Sequence, residues 1–126
     1  MNKLNIDGVK QDKVAIEVTD TASGISVNII GDIDMQDPSI VLDPLFAKIH
    51  DGCVAAGIKQ VDANLRQLTF LNSSGIKAIA KWIMKLSSTA ADKKYIIKIL
   101  QNKDITWQTS SLPTLTFLVP GVVQIE

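Results

Sequence analysis

The sequence predicts an α/β fold, a mixed, mainly parallel β-sheet with packed helices in the order ββαβαβαβ. Three observations carry this. Two alternating apolar and polar runs open the chain, two later segments place apolar residues at helical spacing, and a nearly continuous apolar run follows the second of these. Strands alternating with helices after an opening hairpin pair in parallel, with helices packed on the sheet. The chain of 126 residues is near the usual size of one domain and shows no repeat, low-complexity tract or linker, so residues 1–126 are expected to form a single domain.

Val14 to Asp20 (VAIEVTD) alternates and reads as a strand. Thr21-Ala22-Ser23-Gly24 is a turn, and Ile25 to Ile33 (ISVNIIGDI) resumes the strand pattern, so the two form an antiparallel hairpin. Leu42, Leu45, Phe46, Ile49, Cys53 and Ala56 define the apolar stripe of a first helix. Asp43 suits its N-cap, Pro44 its first position and Gly57 its C-cap. Gln60 to Leu68 contains the third strand, with a weaker pattern. Ile76, Ile79, Ala80, Ile83 and Leu86 form the buried face of a second helix, and Lys77, Lys81 and Lys85 lie four apart on the other side. Tyr95 to Leu100 (YIIKIL) reads as a strand covered on both faces. Thr106 to Leu118 reads as a helix that Pro113 must start, kink or split, and Val122 to Ile125 as a short final strand.

Hydrophobic residues at 46% and charged residues at 21% argue against disorder. Thirteen basic and thirteen acidic residues cancel, so the broad positive field of a nucleic-acid-binding protein is missing. The lone Cys53 has no partner for an internal disulfide or a second thiol for zinc, which fits a reducing compartment. The segment MNKLNIDGVKQDK has no apolar signal core, and no stretch approaches about eighteen apolar residues. The expectation is a soluble cytoplasmic protein without membrane insertion.

Few residues offer chemistry. Ser73 and Ser74 would need a base to act as nucleophiles, and the only histidine is His50, on the first helix. NSSG is also not the G-x-S-x-G elbow. His50 and Cys53 stand at i and i+3 but do not complete a metal site, and Cys53 falls on the apolar stripe. Asp32, Asp34 and Asp37 form an acidic cluster that lacks the glycine and glutamate of a calcium loop, so a solvated loop is the plainer reading. No glycine-rich phosphate loop is present, and no cofactor is implied. The lysine row is either a solubilising face or a binding patch, and Trp82 beside it is either a core or an interface anchor. In Asn72-Ser73-Ser74-Gly75, Asn72 or Ser73 suits an N-cap. The same helix start would favour a phosphate on a hydroxyl.

The stretch NLRQLTFLNSSGIKAI resembles the signature of STAS domains, the fold of bacterial anti-sigma factor antagonists and of sulfate-transporter tails. In that family an (Asp/Asn)-Leu pair, a short link and an apolar triplet precede Asp-Ser-Ser-Gly at a helix start. Here these are Asn64-Leu65, Leu68-Thr69-Phe70-Leu71 and Asn72-Ser73-Ser74-Gly75. Gly31-Asp32-Ile33-Asp34 resembles the family's Gly-Glu-Leu-Asp, and the element order matches over roughly residues 14–126. The third-helix region, with Trp107 and Pro113, matches loosely. The resemblance implies a regulatory binding module, not an enzyme, with Ser73 phosphorylated by a partner kinase that doubles as an anti-sigma-like factor, and a phosphatase opposing it. The implied surroundings of the phosphosite are Asp32, Asp34, Asn72, Ser74, Gly75 and Lys77. Asn72 replaces the family's aspartate, which removes charge repulsion toward a phosphate and also a carboxylate available for kinase recognition. The competing expectation is a STAS-like scaffold or subunit that is never phosphorylated.

Overall fold

The opening hairpin forms as its alternation predicts. Strand β2 (Val14–Asp20) pairs antiparallel with β3 (Ile25–Ile33), from Val14 opposite Gly31 to Asp20 opposite Ile25. The turn closes on a Thr21 N–H to Gly24 carbonyl bond of 2.9 Å. The computed structural model describes residues 6, 8–11, 13–34, 36–117 and 123–126. It adds a short strand ahead of the hairpin, β1 (Val9–Gln11), antiparallel to β2. Three residues are too few to show a period, so the expected order gains one strand.

The remaining elements are α1 (Ser39–Ala56), β4 (Gln60–Leu71), α2 (Ser73–Ser87), a 3₁₀ turn at Ala91–Lys93, β5 (Ile96–Leu100), α3 (Thr106–Leu115) and β6 (Val123–Ile125). The six strands lie in the order of the chain, and the pairs β3–β4, β4–β5 and β5–β6 are parallel. Right-handed crossovers that all advance in one direction carry the helices to one face of the sheet. Burial agrees: Val14, Ile16, Val27, Val61, Ala63, Ile97 and Ile99 are buried, while Glu17 and Thr19 are exposed and Asn28, Asp62 and Lys98 half-buried. The expectation that the apolar run at β5 is covered on both faces is therefore corrected. Tyr95, Ile97 and Ile99 point into the core, and Ile96, Lys98 and Leu100 lie on the open side. The third helix ends at Leu115, with Pro113 in its last turn. The expected continuation to Leu118 is corrected at Thr116 and Phe117, which form a turn, while Leu118 itself and the strand start at Val122 lie outside the described residues.

The first helix begins earlier than Asp43. Pro38, with φ of −66°, is its N-cap residue, and its carbonyl accepts from Val41 and Leu42 at 3.0 and 2.8 Å. The Ser39 hydroxyl donates to the Asp37 carboxylate at 2.5 Å just outside. Pro44 therefore sits inside the helix, where its missing N–H leaves the Ile40 carbonyl without its usual donor. Ile40 is 72% exposed at this point of the helix. Gly57, in the left-handed region at φ 71°, ends the helix as the spacing predicts. Across from α1, Trp82 is buried on α2 and stacks on Phe46 with centroids 4.8 Å apart, so it is a core anchor.

Strand β4 runs to Leu71, beyond the expected Leu68, and its weak pattern has a physical cause. Two register shifts against β3, between Asn28 and Ile30 and between Gly31 and Asp32, each give β4 one extra residue. Such bulges reset the alternation, so the inward residues run Leu65, Leu68, Leu71 in steps of three. Gly31 faces this irregularity at φ +104°, and a Cβ there would stand 2.1 Å from the Lys13 carbonyl, so only glycine fits.

Past Asn64, β4 has no strand partner on the β5 side. Side chains from the start of α3 and the loop before it take its carbonyls instead. The Gln108 amide donates to Leu65 and Leu68 at 2.6 and 3.0 Å, Trp107 Nε1 to Thr69 at 2.9 Å, and Asn102 Nδ2 to Arg66 at 3.1 Å. Gln108 also accepts from the Asn102 N–H at 2.7 Å and is fully buried. Replacing Gln108 by Leu leaves buried carbonyls without a donor and is expected to cost about 2–5 kcal/mol in urea unfolding. Trp107→Phe removes one partly solvated bond and is expected to cost about 1 kcal/mol beyond any change in packing. Equal losses would show that Gln108 does not hold β4.

Candidate functional site

The site lies where the parallel strands β3 and β4 end side by side. Asp32 pairs with Phe70 and Ile33 with Leu71 in register, and the Asn72 N–H donates to the Ile33 carbonyl at 3.0 Å. That bond sets Asn72, and with it Ser73, beside Asp34 at the sheet's carboxyl edge. The chain then turns directly into α2. Asn72 is extended, with φ −76° and ψ 170°, and its side-chain oxygen accepts the Gly75 N–H at 2.8 Å. Of the two residues considered for the cap, Asn72 fills it. Its carbonyl takes the first helical bond, from Ile76 at 3.1 Å.

Ser73 is thereby the first helical residue and is exposed, while Ser74 is half-buried. No acceptor among the described residues reaches the amides of either. Gly75 is buried because α2 starts close against the sheet: a Cβ there would lie 2.4 Å from Leu71 Cδ1 and 3.2 Å from Ile33 Cγ2. Lys77 is exposed one turn further on. The acidic residues separate. Asp32, half-buried, accepts from the Thr69 hydroxyl and so ties β3 to the bulged part of β4. Asp34 is exposed and pairs with Lys13 at 3.2 Å, an exposed pair that contributes little to stability. Asp37 holds Ser39 at the start of α1.

The lysine row stands in solvent as its spacing predicts. Lys81 reaches Asp43 on α1 at 3.3 Å, whereas Lys77 and Lys85 form no ion pair among the described residues. Like charges at i and i+4 destabilise a helix by a few tenths of a kcal/mol each, about 0.2–0.5 per pair. Three lysines in register with no acid on the same helix are therefore a small standing cost.

Behind this surface lies a polar chain that the sequence did not reveal. Trp82 Nε1, which can only donate, gives its hydrogen to the Tyr95 hydroxyl at 2.8 Å. The Thr89 hydroxyl donates to the Lys85 carbonyl at 3.1 Å, so it accepts from His50 Nε2 at 3.2 Å. His50 Nδ1 is then the acceptor for the Tyr95 hydroxyl at 2.8 Å. With the Thr89 hydrogen on the Lys85 carbonyl, both nitrogens of a neutral imidazole are satisfied. Burial, and then Lys85, hold the His50 pKa below its ordinary value, against a smaller opposing effect of Asp51. Burial pushes the Cys53 thiol up to about 12. Both ring nitrogens are thus engaged and the thiol stays protonated; no group of three or more potential metal ligands occurs among the described residues. No helix among them is long and apolar enough to cross a membrane.

This arrangement of strands and helices is a STAS-like fold. In particular, the chain is similar to an anti-sigma factor antagonist from Mycobacterium paratuberculosis. The crystal structure of that protein matches with a TM-score of 0.62 at 19% identity, over 91% of this chain and 88% of that one. The likeness is one of fold. No protein-family model matches the sequence, and no curated protein matches it.

Two outcomes are expected of the site's framework. Asn72→Ala removes the cap and costs about 1 kcal/mol, whereas Asn72→Asp, which keeps the acceptor, stays within a few tenths. Chemical denaturation of both variants compares them. For His50 the sign follows from its lowered folded pKa. The unfolded chain binds a proton at higher pH, so stability is full above about 6.5 and falls as the pH drops toward the folded value. Thermal midpoints between pH 7 and 5 should fall more steeply in the wild type than in His50→Gln, and parallel curves would refute the assignment.

Proposed function

We propose that this chain is a cytoplasmic regulatory binding module without catalysis of its own. In this reading Ser73 is the hydroxyl that a partner serine kinase modifies and a phosphatase restores. One observation carries the reading: Ser73 is an exposed first helical residue, positioned by the Asn72 cap, on a fold shared with an anti-sigma factor antagonist. The two amides that no acceptor among the described residues claims, together with the helix dipole, stabilise an anion there. Asn72 adds no charge against it, and Lys77 stands four residues on, within reach of the same helical face. His50, the only imidazole, is bound by Tyr95 and Thr89 and offers Ser73 no base.

The switch acts through the interface more than through the fold. Unmodified, the surface of Ser73, Ser74 and the start of α2 docks the partner, with Asp32 and Asp34 on the adjoining strand end. Phosphorylation adds about 1.5 to 2 negative charges at the helix start without disturbing its cap. A partner surface built for a neutral hydroxyl must then desolvate a dianion. A loss of only about 3 kcal/mol weakens binding more than a hundredfold.

A second reading, a constitutive scaffold or subunit, draws on Asn72 standing where the family's phosphosite carries aspartate. Incubation with ATP in lysate of the native organism, followed by tandem mass spectrometry, separates the two. The expected result is phosphate on Ser73, with Ser73→Asp losing the partner that wild type and Ser73→Ala retain. An unmodified NSSG peptide beside phosphorylated control substrates, and a native complex indifferent to phosphatase, would favour the scaffold.

A further inference from the structure

Strand β4 displays an aromatic ring beside the site, and a bulge puts it there. Gly31 pairs with Leu68 but Asp32 with Phe70, so Thr69 is an extra residue in β4. In unbroken register Phe70 would stand opposite Ile33, which is buried in the core. The shift gives that inward place to Leu71, 6% exposed, and turns Phe70 out to 46%. Bulges next to functional sites re-aim side chains in this way. This one is braced from both sides. The Thr69 hydroxyl donates to the Asp32 carboxylate, and the Thr69 carbonyl accepts from Trp107 Nε1 at 2.9 Å. Ile30, 36% exposed, adds apolar surface two residues before Asp32 on β3.

We propose that Phe70 is the apolar anchor of the partner contact at Ser73, its ring seated in an apolar pocket of a folded protein partner. The inference rests on the regulatory reading and supplies what that docking surface lacks. Ser73, Ser74, Asp32 and Asp34 are all polar, whereas specific interfaces form around apolar, often aromatic, anchors. Three residues of chain span at most about 11 Å, and a standard interface covers about 800 Å² on each partner. Phe70 and Ser73 therefore fall under one footprint. The Asp32 carboxylate, paired in register with Phe70, selects among occupants. A two-fold contact centred on Phe70 would bring two such carboxylates together, and an anionic bilayer would meet the same charge. A different protein can place a hydrogen-bond donor there.

The test uses the full chain, tagged, in lysate of the native organism. The probe is the protein that wild type retains and Ser73→Asp releases, purified for titration. Phe70→Ser is expected to bind it roughly thirtyfold more weakly, the loss of a hot spot, while Phe70→Tyr keeps most of the affinity. Ile40→Ser, which removes a more exposed apolar side chain elsewhere, should bind as wild type does. The thermal midpoint of Phe70→Ser should stay within about 2 °C of wild type, because the ring is not a packing residue. Unchanged binding by Phe70→Ser, an equal loss in Ile40→Ser, or a clearly lowered midpoint would overturn the proposal. So would Phe70-dependent self-association in sedimentation, or Phe70-dependent binding to phosphatidylglycerol vesicles. A protein released by Ser73→Asp but held by Phe70→Ser removes the anchor alone. If wild type retains no protein that Ser73→Asp releases, the regulatory reading and the anchor both fall.

Discussion

The arrangement depends on how the far end of β4 is satisfied. A parallel strand needs partners on both edges, yet β4 outruns β5 by seven residues, from Leu65 to Leu71. Backbone carbonyls left in an apolar setting would cost more than any one contact nearby contributes. Gln108, Trp107 and Asn102 supply the missing donors, so α3 and the loop before it act as a surrogate strand. Because those bonds hold Leu65 through Thr69, Leu71 and Asn72 arrive at a fixed place, and the α2 cap forms there. The position of Ser73 is thus set by residues 29 to 35 places later in the chain.

A second set of constraints joins the helices to one another. Phe46 and Trp82 stack between α1 and α2, and the directed chain from Trp82 through Tyr95 and His50 to Thr89 links both helices to the start of β5. Fully satisfied buried polar chains favour one packing over its alternatives. The outer face of α2 is backed by this layer, which makes it a firm platform for contact and leaves its exposed side free to vary.

Much of this was legible in the chain, and the exceptions have identifiable causes. The hairpin was readable because nothing interrupts the alternation of Val14 to Asp20. The stripes of α1 and α2, and Asn72 as a cap beside Ser73, follow from spacing of three and four and from short-range bonds. Asp43-Pro44 imitates a helix opening, so the sequence pattern places the start of α1 later than Pro38, which provides the real one. The end of β4 was blurred by bulges that break its period. The roles of Gln108, Trp107 and the His50 chain left no local trace, since their partners lie about forty residues away in sequence for each of the first two and across three elements for the last.

The placement of the two tryptophans gives the protein its own optical labels. Trp82 is sealed in the core, stacked and hydrogen-bonded, so its emission belongs to the blue and changes when the helices part. Trp107 is half-buried and bonded to Thr69, three residues before the Asn72 cap, so its indole senses the polarity at the edge of the site. One fluorophore therefore follows global unfolding and the other follows the surroundings of the β4 end, which lets a single unlabelled sample distinguish a local change from denaturation.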